Sequence, residues 1–382
     1  VLASCSASVG VVGVLLLACS ADVRLGDLGQ SSTPGQDGAP DAPGSADGAG
    51  DSASDGAADA RSGVDASDAA DASFDSADAA CVIDCHGNPC VANVCQPVVL
   101  APGRKTPLYL AADLTDVFFT ETGHAGTLAD PNPVSRVSKA GGAVALIADD
   151  DGSPRGVAVD GTFVFWNDHA ENGLENVWRA SKVDGSGLTL TGRFPTPVDI
   201  QGISLSPTLV YAASGNQVRY FGKTASMSFG LEATNSLVHV FGIAANQTDT
   251  VVYAADFGNA SVDTMDPVGM TTTPVALGNE PVDVQIDATY AFVATGAQIV
   301  RVTLADSSTL VLATGLTGAV GVAIDVDTVY FTTKTQVRKV PKIGGASTLL
   351  TGGLTTGGRI VVDSTFAFYS DPGAGVIARV PK

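Results

Sequence analysis

Several shortages in this sequence each exclude something. Lysine and arginine total 20 against 40 acidic residues, so there is no concentrated basic surface of the kind phosphate binding needs, and nucleic acid is excluded as a partner. The apolar run at residues 9–18 is ten residues long, too short for a helix that must cross a bilayer with about 20. Only four histidines are present, and residues 96–382 contain no cysteine. That leaves little for a metal centre, and no catalytic constellation or cofactor motif is legible. Residues 20–80 are almost entirely Asp, Ala, Gly, Ser and Pro, with Phe74 as their only aromatic. Such a segment cannot bury enough apolar surface to offset the entropy of ordering, so a disordered tether is expected there.

What is present sorts the chain into four parts. Residues 1–19 read as an export signal whose apolar core ends in Leu16-Leu17-Ala18-Cys19, without a basic segment before it. The tether at 20–80 carries 13 aspartates against Arg24 and Arg61; their mutual repulsion keeps it extended. Residues 81–95 hold Cys81, Cys85, Cys90 and Cys95 in C-x3-C-x4-C-x4-C spacing. In an oxidising compartment this reads as a two-disulfide knot, and four cysteines leave three pairings open. Paired C-x2-C knuckles, the usual zinc pattern, are absent.

Residues 96–382 repeat. Seven segments share a first apolar element, a small or acidic turn and an aromatic-rich second element; examples are "GVAVDGTFVFWND" from Gly156 and "GVAIDVDTVYFTT" from Gly321. The turn positions are Asp113, Asp160, Ser206, Asn246, Asp287, Asp325 and Asp363, spaced 38 to 47 residues apart, close to the roughly 40–45 of a four-stranded blade. The last repeat stops after its third element, and residues 97–101, Pro-Val-Val-Leu-Ala, resemble a fourth. The reading is therefore all-β: a seven-bladed β-propeller of four-stranded blades, with an N-terminal strand closing the last blade and removing the free sheet edge. Six or eight blades are the alternative counts, and an open β-solenoid is the rival fold.

The turn aspartates read as caps bonding nearby backbone amides. Arg136, Lys139, Arg179, Lys182, Arg301, Arg338, Lys342, Arg379 and Lys382 fall on third elements; spread around the ring, they read as solvated faces that also deter strand addition. His239 precedes an inner strand and reads as structural. The hairpins between second and third elements are long and polar in blades one and two and polar in blade seven. Once the ring closes those blades are neighbours. Glu121, His124, Asp130, Asp168, His169, Glu171 and Asp371 then share one sector of the mouth, where a cation, a cationic ligand or acid–base chemistry would be at home.

Two resemblances add to this. Leu16 to Ser20 resembles the bacterial lipobox, which implies that Cys19 is acylated and becomes the mature N-terminus. Residues 97–382 resemble the exported propellers of the NHL and TolB-like groups, without the Trp-Asp signature of WD40 blades. Together they imply a monomeric, lipid-anchored protein of the bacterial envelope, at the outer membrane or cell surface. It would touch the membrane through its anchor and bind a protein or small-molecule ligand through the propeller. The alternatives are a hydrolase or lyase using the His and carboxylate groups at the mouth, and a structural envelope protein without a ligand.

Overall fold

The computed structural model describes residues 82–123, 132–150, 152–169, 175–194, 200–224, 231–233, 237–266 and 271–382. The export signal with Cys19, the tether, Cys81, His124, Asp130 and Glu171 lie outside them.

Alternating apolar and polar residues make each repeat a four-stranded antiparallel sheet. Blades one to six occupy residues 107–150, 153–194, 200–233, 240–276, 283–313 and 321–352 in simple up-and-down order. Blade seven is composite. Its first three strands are Ile360–Val362, Phe366–Asp371 and Val376–Pro381, and its fourth is Val98–Ala101 from the other end of the domain. Val98 pairs with Arg379, Val99 with Ala378 and Ala101 with Ile377. The protein is thus a seven-bladed β-propeller, closed as the displaced strand requires.

Closure fixes two faces. First-to-second-strand turns lie on one, here the turn face. Second-to-third hairpins and the connections between blades lie on the other, the mouth. A fourth strand runs from the turn face to the mouth, so the chain enters blade seven from the turn face. The cysteine knot sits there: Cys85 is bonded to Cys95, and Cys90 is also disulfide-bonded. The His86 ring meets Phe366 edge-on, and Arg379 Nε donates to Asn88 Oδ1 at 3.2 Å.

Apolar clusters fill each seam between blades. Between blades two and three, for example, Phe165, Val177 and Phe194 meet Val210, Ala212 and Phe221. Inner strands approach closely where a repeat begins with glycine, as four of the seven do. A Cβ at Gly156 would lie 2.8 Å from the Gln201 carbonyl oxygen, and one at Gly202 would lie 2.7 Å from that of Phe241. Side chains near the second-strand ends lock these contacts: Thr120 donates to the Arg155 carbonyl at 2.7 Å, Asn167 to Gly202 at 3.0 Å and Ser370 to Leu108 at 3.0 Å.

On the turn face the aspartates cap as expected, but each does a second thing. One Asp113 oxygen accepts from the Thr115 and Asp116 amides at 2.8 Å, and the other takes the Lys182 ammonium of blade two at 2.8 Å. Lys223–Asp160, Lys342–Asp287, Lys382–Asp325 and Lys139–Asp363 repeat this between successive blades. The expectation of solvated basic faces is therefore corrected. These lysine side chains are only 10–19% exposed, and several lie over aromatic rings, Lys139 above Phe368 and Lys342 above Phe292. Arg136, Arg301 and Arg379 reach carbonyls of the next blade at Val183, Lys342 and Lys139, and Arg179 reaches that of Lys223. The cost of desolvating each head is offset because its stem covers apolar seam surface and the head finds a fixed partner.

Candidate functional site

The mouth is built from the ends of second strands. The closing position is polar in every blade: Glu121, Asp168, Ser214, Asp256, Thr295, Thr333 and Asp371, none more than 5% exposed. Buried polar groups need partners, and here the partner is often the connection leading into the same blade. Glu121 accepts from the Lys105 amide at 2.7 Å and from Arg104 at 3.3 Å. Asp256 accepts from the His239 amide at 3.0 Å and the Val238 amide at 3.1 Å. Asp371 accepts from Thr355 at 2.8 Å, Thr356 at 2.9 Å and Ala374 at 3.1 Å. Glu121 and Asp371 of the expected sector thus brace loops, as Asp256 does outside it. Asp168 occupies the same position in blade two and is 2% exposed.

His169 differs. It follows Asp168 at the end of Phe163–His169 and pairs with Glu175 across the hairpin. Its Nδ1 lies 2.5 Å from Glu175 Oε1; the imidazole is 46% exposed and the carboxylate fully buried. A carboxylate at one ring nitrogen fixes the ring's orientation and leaves the other nitrogen for chemistry or binding. Glu175 is not among the residues the sequence pointed to, although a His and a Glu at the two ends of "AENGL" were the available signal. His124, Asp130 and Glu171, the other expected members, lie outside the described residues. His239 stacks on Phe241 with ring centroids 4.7 Å apart, beside Phe257, which agrees with a structural role.

A second polar group was not expected. Where four repeats carry glycine at the start of the inner strand, blades one, five and seven carry Tyr109, Asp283 and Arg359. These three meet across the channel. Arg359 Nη1 lies 3.1 Å from Asp283 Oδ2 and donates to the Val320 and Val282 carbonyls at 2.7 and 3.1 Å. Its guanidinium sits 4.9 Å from the Tyr109 ring centre, and the Tyr109 hydroxyl lies 2.9 Å from Gln201 Oε1. Burial disfavours the Arg359 charge, but the Asp283 carboxylate outweighs it and raises its pKa above the ordinary value. The break in the glycine pattern was the sequence signal. The cluster ties blades one, three, five, six and seven together, so it reads as a plug of the channel.

One concavity lies away from this mouth. About 1160 Å³ in volume, it opens on the turn face of blades five to seven, beside the Lys342–Asp287 and Lys382–Asp325 pairs. Among the described residues no three His, Cys, Asp or Glu side chains converge as metal ligands, and no helix is long and apolar enough to cross a membrane.

No family model and no curated protein matches the sequence. Solved structures do. A catalytically inactive variant of virginiamycin B lyase from Staphylococcus aureus, solved with quinupristin, is 12% identical, with a TM-score of 0.61 over 75% of this chain and 98% of its own. The WD40 β-propeller domain of Doa1 is 11% identical, with a TM-score of 0.60 over 75% and 97%. The WD40 repeats of RRP9 are 13% identical, with a TM-score of 0.59 over the same shares. At such identities the likeness is one of fold. An enzyme and WD40 domains share it, so it shows that this chain is a β-propeller and no more.

Proposed function

We propose that this chain is an exported, lipid-anchored binding module of the bacterial envelope, related to the NHL and TolB-like propellers. The mouth is its recognition face. The observation that carries the reading is the direction of entry: Val98–Ala101 and the knot approach from the turn face. The mouth, with the hairpins of blades one and two, lies at the opposite ends of the strands from that entry. Acylation at Cys19 would anchor a monomeric propeller to the membrane. The sector from blade seven to blade two is the proposed contact region for a protein or small-molecule ligand, with His169 as its best-defined polar group.

Two measurements on the full chain test this. Cys19→Ser should abolish labelling by a fatty-acid probe and move the protein from the membrane to the soluble fraction. A photo-crosslinking residue at position 169 should give a discrete product in the native envelope, and one at Ser364 on the turn face should not. An unchanged fractionation removes the anchor, and equal products from both positions remove the mouth.

The His169–Glu175 pair supports a second reading, a hydrolase or lyase in which His169 acts as base. Turnover of generic ester and lactone substrates that survives unchanged in both His169→Ala and Glu175→Gln would end it.

A further inference from the structure

The seam between blades three and four is not among the five that pair a lysine with a turn aspartate. On the turn face the pairing of a lysine with a turn aspartate is replaced by Ser206 and Thr208 bonding Asp249. In the middle of the seam lies Asp263, on the third strand of blade four, paired with Ala254 on one side and Pro274 on the other. In the register of the strands, blade five has Val300 at this position. Asp263 is fully buried. Ser261 donates to its Oδ2 at 2.6 Å, and among the described residues its Oδ1 has no hydrogen-bond partner.

We propose that Asp263 is held as a neutral acid and works as a proton-operated latch: its ionisation loosens this seam and frees the Val238–His239 connection at the mouth. The groups around it argue for a proton and against a fixed cation. From its own blade it meets Ser261 and Asp256, and Asp256 is itself fully buried. From blade three, Tyr211 and Tyr220 pack on the same side, and both phenols are shifted upward by burial. Asp249 lies at the turn-face end, and His239, whose Nε2 is buried without a partner among the described residues, lies near the mouth. Among the described residues no lysine or arginine bonds Asp263. A bare carboxylate buried beside a second one is costly, whereas the protonated form leaves only a modest polar deficit. Burial and the Asp256 charge accordingly push the Asp263 carboxyl up.

The link to the mouth runs through Asp256. It takes the Val238 and His239 amides and the Asn259 side chain, and it pairs directly with Ser261, two residues from Asp263. A negative charge at Asp263 repels Asp256 and draws Ser261 toward itself, which weakens the brace on that connection.

A folded-state pKa above the unfolded value means the native form binds more protons, so stability falls as pH rises. The test is thermal unfolding of the full chain between roughly pH 5 and pH 8.5, compared with Asp263→Asn and Asp263→Val. The wild type should lose several degrees across that range relative to either variant. Amide exchange at Val238 and His239, corrected for the intrinsic pH effect, should quicken with pH in the wild type and stay level in the variants. If Asn at this site does not fold, the Val variant, matching blade five, carries the comparison. Parallel melting curves, or exchange at Val238 and His239 independent of pH, would overturn the latch.

Discussion

The Lys182 ammonium lies 2.8 Å from the Asp113 carboxylate, although 69 residues separate them. The same carboxylate closes the turn of its own blade through the Thr115 and Asp116 amides. One side chain therefore joins local and ring-level order, and removing it should cost more than removing its partner. Asp113→Ala is expected to destabilise by about 2–3 kcal/mol, because a cap and an ion pair go together. Lys182→Met should cost at most about 1 kcal/mol, since its stem packing is kept and a partly exposed pair contributes little. Urea unfolding of the two single variants checks the order; equal losses would show that the cap contributes nothing.

Acid should act on all such turns at once. For Asp113, Asp160, Asp287, Asp325 and Asp363, burial raises the pKa, but lysine and backbone amides outweigh it and hold each carboxyl below 3.8. A depressed folded pKa contributes stability above the unfolded value that is lost as pH falls through the folded one. The melting temperature should therefore drop steeply below about pH 4. Asp113→Asn with Asp287→Asn should flatten that acid limb, and an unchanged limb would assign it elsewhere.

The blade count and the closing strand were legible because both are periodic: a small or acidic turn residue recurs every 38 to 47 residues, and Val98–Ala101 supplies the strand that the last repeat lacks. The pairings were not. Lys182 with Asp113, and Arg359 with Asp283, join residues on different blades, and an alternating pattern says which face a side chain takes without saying what waits there. Of the candidate sector, the sequence showed where Glu121 and Asp371 lie along the repeats but not what they hold. Glu121 and Asp371 sit at the mouth, yet their oxygens hold backbone amides, a role that depends on loop geometry a sequence does not carry.

Closure by Val98–Ala101 makes a prediction about the ring's weakest point. A chain beginning after Ala101 leaves Val376–Pro381 as an uncovered edge strand, and such edges recruit other strands. This variant should form dimers or larger species on size-exclusion chromatography. Adding back a synthetic peptide spanning residues 96–102 should restore the monomer. A monodisperse truncated monomer would show that blade seven is stable with three strands.

Arg359 and Asp283 offer the sharpest energetic test, because both are only 14% exposed and each compensates the other's burial. Arg359→Met strands the Asp283 carboxylate, which keeps backbone amides such as that of Val322 at 3.0 Å but no cation, and should cost about 3–5 kcal/mol. Asp283→Asn strands the guanidinium, which retains the Val282 and Val320 carbonyls and the Tyr109 ring, so its cost should be smaller. The double variant should be less destabilised than the two losses added together, since neither charge is then left alone. Denaturant unfolding of the three proteins closes the cycle. Strict additivity would mean that the pair is not coupled, and that the plug is held by packing around Tyr109 instead of by charge.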